Sequence, residues 1–290
     1  MNDSLINQDN YIKYINELDL KKKTKLLVNK LVNEENDSER VNIWNEILEI
    51  EKSDKLEKLA NPYFIGFGNA KSDILFFGQE KAFDVESSSE LLLHESINNN
   101  YQWTKITENE HVPLIFNPQF PRKYHSFKMR TGHTWNLYSK IIASFYNLNS
   151  KEIFEETIER ENSFFNLCFV SEINTIPRRK NKGDKISSIR IKFLQNDFYK
   201  NFKFVIIGAS TSLGENADEI IKTIFNAELI KKKLSLGKYG KNNLKDRNIS
   251  LYKSNKQVII LCNQLSGSAG WKNTHLIELS KILKKHVENN

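Results

Sequence analysis

Four short stretches of the chain are apolar almost without interruption: Ile74 to Phe77, Phe164 to Ile173, Phe202 to Ile207 and Gln257 to Cys262. Runs of this length and content read as strands buried on both faces. Around them, apolar residues recur at helical spacing. Trp135, Tyr138, Ile142 and Phe145 predict a helix over Thr134 to Tyr146, and Leu276, Leu279, Ile282 and Leu283 predict one at the C-terminus. Further helices are expected over Ser150 to Arg160, after a Ser187 cap, and from about Ala217 to Phe225. Buried strands alternating with helices predict an α/β fold, three-layer α/β/α, around a central, mainly parallel four-stranded sheet.

Elsewhere the pattern is different. Up to about Leu59 the chain is dense in charge, and Val41, Trp44, Ile47 and Leu48 fall on one helical face with Ser38 as a possible start, which predicts an N-terminal helical extension. The expected division is 1-60 for this extension and 61-290 for the α/β domain. Gly66-Phe67-Gly68-Asn69 reads as a turn, and from Phe83 to Thr131 the pattern is poor apart from a short helix near Glu90 to Leu93. Residues Lys231 to Lys256 read as basic and turn-rich, with an edge strand at Ile249 to Tyr252.

Composition narrows the classes. The 290 residues are 39% hydrophobic, enough for a sizeable core. Cys168 and Cys262 both sit in apolar runs and read as buried thiols of a reducing compartment, so neither a disulfide framework nor an iron–sulfur cluster is expected. The first residues lack a basic segment followed by an apolar stretch, and no run reaches membrane-spanning length; a cytoplasmic protein is the expectation. The histidines show no metal-ligand spacing, no Gly-Lys-Ser/Thr phosphate loop is present, and neither metal nor cofactor is expected.

Charge adds a partner. The 43 Lys and Arg outnumber 36 Asp and Glu, for a formal charge of +7. Two regions concentrate the excess: Arg178, Arg179, Lys180, Lys182, Lys185, Arg190, Lys192, Lys200 and Lys203 between Ile176 and Lys203, and Lys231 to Lys233, Lys238, Lys241, Lys245, Arg247, Lys253 and Lys256 between Glu228 and Lys256. Placed on the carboxyl edge of the sheet, they would track phosphates, and DNA is the expected partner.

Candidate chemistry gathers at the ends of the apolar runs, where open α/β sheets bind ligands. The first run delivers Gly78, Gln79 and Glu80, the second carries Asn166 and Glu172, the third ends in Gly208, and the last ends in Asn263 followed by the Ser/Gly loop of Ser266 and Ser268. A dissociative cleavage of a glycosidic bond needs a carboxylate on the sugar side and hydrogen-bond donors for the leaving base. Glu80 suits the first role. Asn263 and backbone amides of the Ser266 to Gly270 loop suit the second. Phe83 is placed to stack on an extruded base and Asn166 to read its edge. More ordinary roles compete: Glu80 as a solvated carboxylate, Asn166 as a partner of nearby backbone, the serines as helix caps, and Glu172 in a pair with Arg178 or Arg179.

In this ordered set the chain resembles the uracil-DNA glycosylase superfamily. That family has Gly-Gln-Asp-Pro-Tyr-His after its first strand and His-Pro-Ser-Pro-Leu-Ser after its last. Gly78 and Gln79 match the first motif, Glu80 stands where the family has Asp, and Lys81, Ala82 and Phe83 replace Pro, Tyr and His. Asn263 would take the place of the family's His, and Ser266 or Ser268 that of a loop serine. The resemblance implies a glycosylase acting on a damaged or modified base in DNA. The Asp-to-Glu change and the missing His also admit a nucleic-acid-binding or nucleotide-binding module without catalysis.

Overall fold

The computed structural model describes residues 3–51, 53–79, 89–109, 111–116, 134–149, 153, 164–176, 186–239, 245–266 and 269–287. The chain divides into two compact units. One comprises Met1–Gly66, Glu80–Pro113 and Asn174–Lys182, the other Phe67–Gln79, Leu114–Ile173 and Gly183–Asn290.

The first unit is helical, with α1 (Asp3–Ile6), α2 (Asp9–Glu17), α3 (Lys22–Asn33), α4 (Asp37–Ile50) and α5 (Asn99–Glu108). Helix α4 starts at Asn36 rather than Ser38, because the Asn36 side chain accepts from the Glu39 amide at 3.0 Å. Val28, Leu31, Ile43, Trp44, Ile47 and Leu59 form its apolar centre with Leu92, Leu93 and Ile97. A polar layer lies beside it. Arg40, 1% exposed, donates to the carbonyls of Leu31 and Glu34 at 2.6 Å and to Asn98 Oδ1, closing the end of α3 with charge-assisted bonds. Asn99 accepts from the Ile65 and Gly66 amides at 2.9 and 3.2 Å and donates to Gly66 O at 3.0 Å, so one side chain pairs a backbone segment that has no strand neighbour there. The short helix expected near Glu90 to Leu93 is found at Ser89–Leu92, and the stretch expected to be irregular beyond it holds a π-turn at Leu93–Ile97 and α5.

The second unit is a mixed α/β structure on one eight-stranded sheet. Its strands are β1 (Phe67–Asn69), β2 (Ile74–Gly78), β3 (Ile115–Phe116), β4 (Cys168–Glu172), β5 (Phe204–Ile207), β6 (Glu228–Tyr239), β7 (Lys245–Lys253) and β8 (Val258–Leu261). The order is β3-β1-β4-β2-β5-β8-β7-β6, with β4-β2-β5-β8 parallel and the rest antiparallel. The four expected strands are thus the centre of a sheet twice as wide. Beyond them, Phe67–Asn69 is a strand, not a turn. Gly68 adopts φ +104° and passes so close to β4 that a Cβ would lie 2.2 Å from Cys168 O. The basic stretch from Lys231 is a long hairpin of β6 and β7, not a turn-rich segment.

Helices cover both faces. Ile74, Phe76, Cys168, Val170, Phe204, Ile206, Val258 and Ile260 meet α6 (Thr134–Tyr146) and, by Leu276, Leu279 and Leu283, the C-terminal helix Asn273–Val287. On the other face Phe77 packs against Tyr199 and Phe225, with ring centres 5.7 and 6.0 Å apart, and Phe169 against Phe198 at 5.2 Å. The helices of that side are α7 (Ser188–Leu194), which Ser187 caps as expected, and α8 (Ala217–Phe225); the C-terminal helix is α9. Each fully buried Leu, Ile or Phe contributes roughly 1.5 to 3 kcal/mol. The expected helix over Ser150 to Arg160 lies outside the described residues except for Ile153.

Candidate functional site at the carboxyl edge of the sheet

The parallel strands end level with one another. Gly78 is paired in register with Glu172, and Phe77 with Ile207, which is level with Leu261. Counted among the parallel strands alone, the order is second, first, third, fourth, so connections leave β2 and β5 in opposite directions, and the carboxyl ends of these two strands form a topological switch point, the place where open α/β sheets bind ligands. Gly78 and Gln79 lie at its β2 side; Gly208 and Ser210 lie at its β5 side.

The edge is tied together by short bonds. The Gly208 amide donates to Phe77 O at 2.9 Å, the Ile173 amide to Gly78 O at 2.9 Å, and the Ser210 amide to Cys262 O at 3.0 Å. Gly208 leaves room for the loop after β8, since a Cβ there would stand 3.3 Å from the Leu265 amide nitrogen. Ser210 Oγ donates to Asn263 Oδ1 at 2.6 Å. This bond engages the Asn263 carbonyl oxygen, which leaves Nδ2 as the donor end of the amide. Beneath Gly78, Tyr138 stacks on Phe76 with ring centres 4.2 Å apart, and burial pushes its phenol well above the ordinary range, keeping it a neutral hydroxyl. Cys262, under the same edge, is held protonated by burial, its pKa pushed up to about 12.

A cation closes the end of β4. Arg190 on α7, 1% exposed, donates through Nη2 to Glu172 O at 2.6 Å and to Ser171 Oγ at 3.1 Å, and through Nε to Glu172 O at 3.2 Å. Burial draws its pKa down while Tyr199 and Glu172 push it up, and a guanidinium remains charged throughout. Arg190, expected among the cations of a phosphate-tracking surface, is instead buried, because it shares the apolar phase of its helix with Phe193 and Leu194.

The expected residues are only partly brought together. Gly78, Gln79, Asn263 and Ser266 all follow carboxyl ends of parallel strands. Asn166 does not join them: it lies on the helical turn Phe164–Leu167, before β4, where its carbonyl accepts from Asn69 Nδ2 at 2.9 Å. Cys168 is level with Ile74 and Glu172 with Gly78, so Asn166 sits at the amino edge, with about 13 Å of strand between the two levels. Asn166 and Glu172, carried by one apolar run, therefore lie at opposite ends of β4 and not on one strand face. Two loop amides expected to receive charge are already bonded, Ser266 N–H to Gln264 O at 3.0 Å and Ala269 N–H to Ser266 O at 3.1 Å. Glu80, Phe83, Ser268, Arg178, Arg179, Lys180 and Lys182 lie outside the described residues.

A cavity of about 330 Å³ opens between α7 and α8 beside Ser212 and Leu213, and another of about 420 Å³ lies near Asn201 and Gln257. Neither is lined by Gly78, Gln79, Asn166 or Asn263. Among the described residues no cluster of His, Cys, Asp or Glu is placed to hold a metal ion, and no helix is long and apolar enough to cross a membrane. Comparison with protein families, with curated proteins and with solved structures finds no match.

Proposed function

We propose that this protein is a DNA-processing glycosylase of the uracil-DNA glycosylase kind, a three-layer α/β/α enzyme that hydrolyses the N-glycosidic bond of a damaged or modified base. The observation that carries this reading is the Ser210 to Asn263 hydrogen bond, which holds a side-chain amide at the carboxyl edge of the sheet where Gly78 and Gln79 also lie. Glu80, next in sequence after Gln79, supplies the carboxylate that supports positive charge on the sugar or orients water. Asn263 Nδ2 meets the negative charge that develops on the departing base. No cofactor or metal enters the scheme. The cysteines, both free and buried, suit a reducing cytoplasmic setting.

A second reading, a nucleic-acid-binding module without catalysis, draws support from Asn166, because its position at the amino edge leaves the carboxyl edge without the amide expected to read a base. Full-length protein incubated with single-stranded and duplex oligonucleotides carrying uracil, hypoxanthine or 5-hydroxymethyluracil, then treated with alkali, separates the two. Strand scission at one modified base is expected, and Glu80→Gln or Asn263→Ala should slow it by about 10² or more. No scission at any base, with salt-sensitive binding intact, favours the binder.

A further inference from the structure

We propose that the β6–β7 hairpin is a nucleic-acid docking ribbon in its own right, taking the phosphate backbone of duplex DNA along its length. Strand β8 pairs with β7 only over Ser250 to Lys253, matched to Leu261 back to Val258. The paired residues from Leu234 to Tyr239 on β6 and Lys245 to Ile249 on β7 therefore run on past the carboxyl end of β8 as a two-stranded ribbon. The ribbon is anchored there. Arg247 donates to Ala269 O and lies 4.6 Å over the Trp271 ring, whose Nε1 donates to Gln264 O at 2.9 Å, and a ring nitrogen of His275 sits 3.2 Å from Lys238 O.

The exposed positions of the hairpin carry several cations, Lys231 to Lys233 just before the overhanging ribbon and Lys238 and Lys245 on it. Lys232 and Lys238 are countered by Asp218 and Asp246 at 3.1 and 3.3 Å. Lys231, Lys233 and Lys245 are exposed and, among the described residues, have no ion-pair partner. Backbone strain marks the same place: the register slips between Lys231 and Leu234, and Lys233 adopts φ +55°, a conformation that costs a non-glycine residue of order 1 kcal/mol or more. A bulge of this kind re-aims side chains, here those of consecutive lysines on the outermost strand. The overhanging part of β6, Leu234 to Tyr239, spans roughly 20 Å at about 3.3 Å per residue, a two-stranded ribbon of a kind that fits the major groove, and Lys231 and Lys233 continue the cationic line along the same strand. The ribbon borders the loop that carries Asn263, but its charge and register stand whether or not that loop is catalytic.

Fluorescence anisotropy of the full-length chain with a labelled 20-base-pair duplex containing only ordinary bases tests this. Substituting K231Q/K233Q/K245Q should weaken binding about tenfold or more near 0.1 M salt and lower the slope of log affinity against log salt by about 2 to 3. A control, K13Q/K22Q/K71Q, removes the same charge from exposed sites elsewhere and should cost less than about threefold. If thermal unfolding shows the ribbon triple to be destabilised, K245Q alone, on the partner strand and away from the slips around Lys231, should still lower the slope by about 1. Equal losses in ribbon and control variants, absence of duplex binding at low salt, or equally effective competition by polyglutamate would overturn the proposal. Asn263→Ala should leave the slope unchanged, so a protein that binds through the ribbon yet cuts no base removes the glycosylase reading alone.

Discussion

The helical unit and the sheet unit handle buried polarity in opposite ways. In the first, Arg40 and the asparagines at 61, 98, 99 and 100 sit inside: Arg40, Asn61 and Asn99 bond to backbone groups, Asn98 accepts from Arg40, and Asn100 accepts from Asn61. In the second, the parallel strands are filled with Ile, Val, Leu and Phe, and buried polar groups such as Ser171 and Arg190 collect where the strands stop. The difference teaches where each unit is vulnerable. A polar side chain that completes backbone pairing is indispensable to local structure, whereas an apolar side chain in a wide core is one contributor among many.

The contrast can be broken most forcefully at Arg40. Truncation in Arg40→Ala leaves the Leu31 and Glu34 carbonyls and Asn98 Oδ1 without their donor, and should cost about 3 to 5 kcal/mol in chemical denaturation. Arg40→Lys should recover only part of that loss, since an ammonium cannot serve three acceptors with the geometry of a planar fork. If lysine restores full stability, charge matters there and shape does not. In the sheet, Ile206→Ala should cost about 2 to 4 kcal/mol through lost burial and the space left behind, with Ile206→Val near 1. A larger loss from Ile206→Ala than from Arg40→Ala would reverse the ranking.

The smallest effect follows pH. Burial lowers the pKa of His94 from its ordinary 6.5 against the raising influence of Glu90, Asp37 and Glu95, while Arg40 adds to the lowering. The unfolded chain therefore binds a proton before the folded one does, so stability is full above about pH 6.5 and declines as pH falls through the folded value. Melting temperatures measured from pH 8 to 5 should show this decline, and His94→Gln should flatten it. An unaltered profile in that variant would assign the dependence to other groups.

How much of this was legible follows from particular residues. The cores of β2, β5 and β8 were readable because a strand buried on both faces has almost no polar position to obscure it. Phe164 to Ile173 misled for the same reason: a continuous apolar run carries no period, so the helical turn at Phe164–Leu167 was indistinguishable from strand and Asn166 was carried to the wrong edge. Helix α5 was hidden because Asn98 to Asn100 are poor helix formers, and tertiary hydrogen bonds outweigh that preference. The hairpin was hidden by exposed lysines on β6, which look like loop composition. Three buried arginines were readable in principle: Arg40 falls in phase with Ile43, Trp44 and Ile47, Arg190 with Phe193 and Leu194, and Arg247 with Ile249 and Leu251. A cation on the apolar phase of an element announces that it closes a chain end, and the role of each became clear only with its acceptors.

The two margins of the sheet also bear on how copies of this chain meet each other. One margin is β3, only two residues long, too short a template for another strand to zip onto. The other is twelve residues long but is interrupted by register slips and lined with lysines. Two copies brought together along β6 would oppose like charges across a kinked seam, which disfavours strand pairing between copies at that margin.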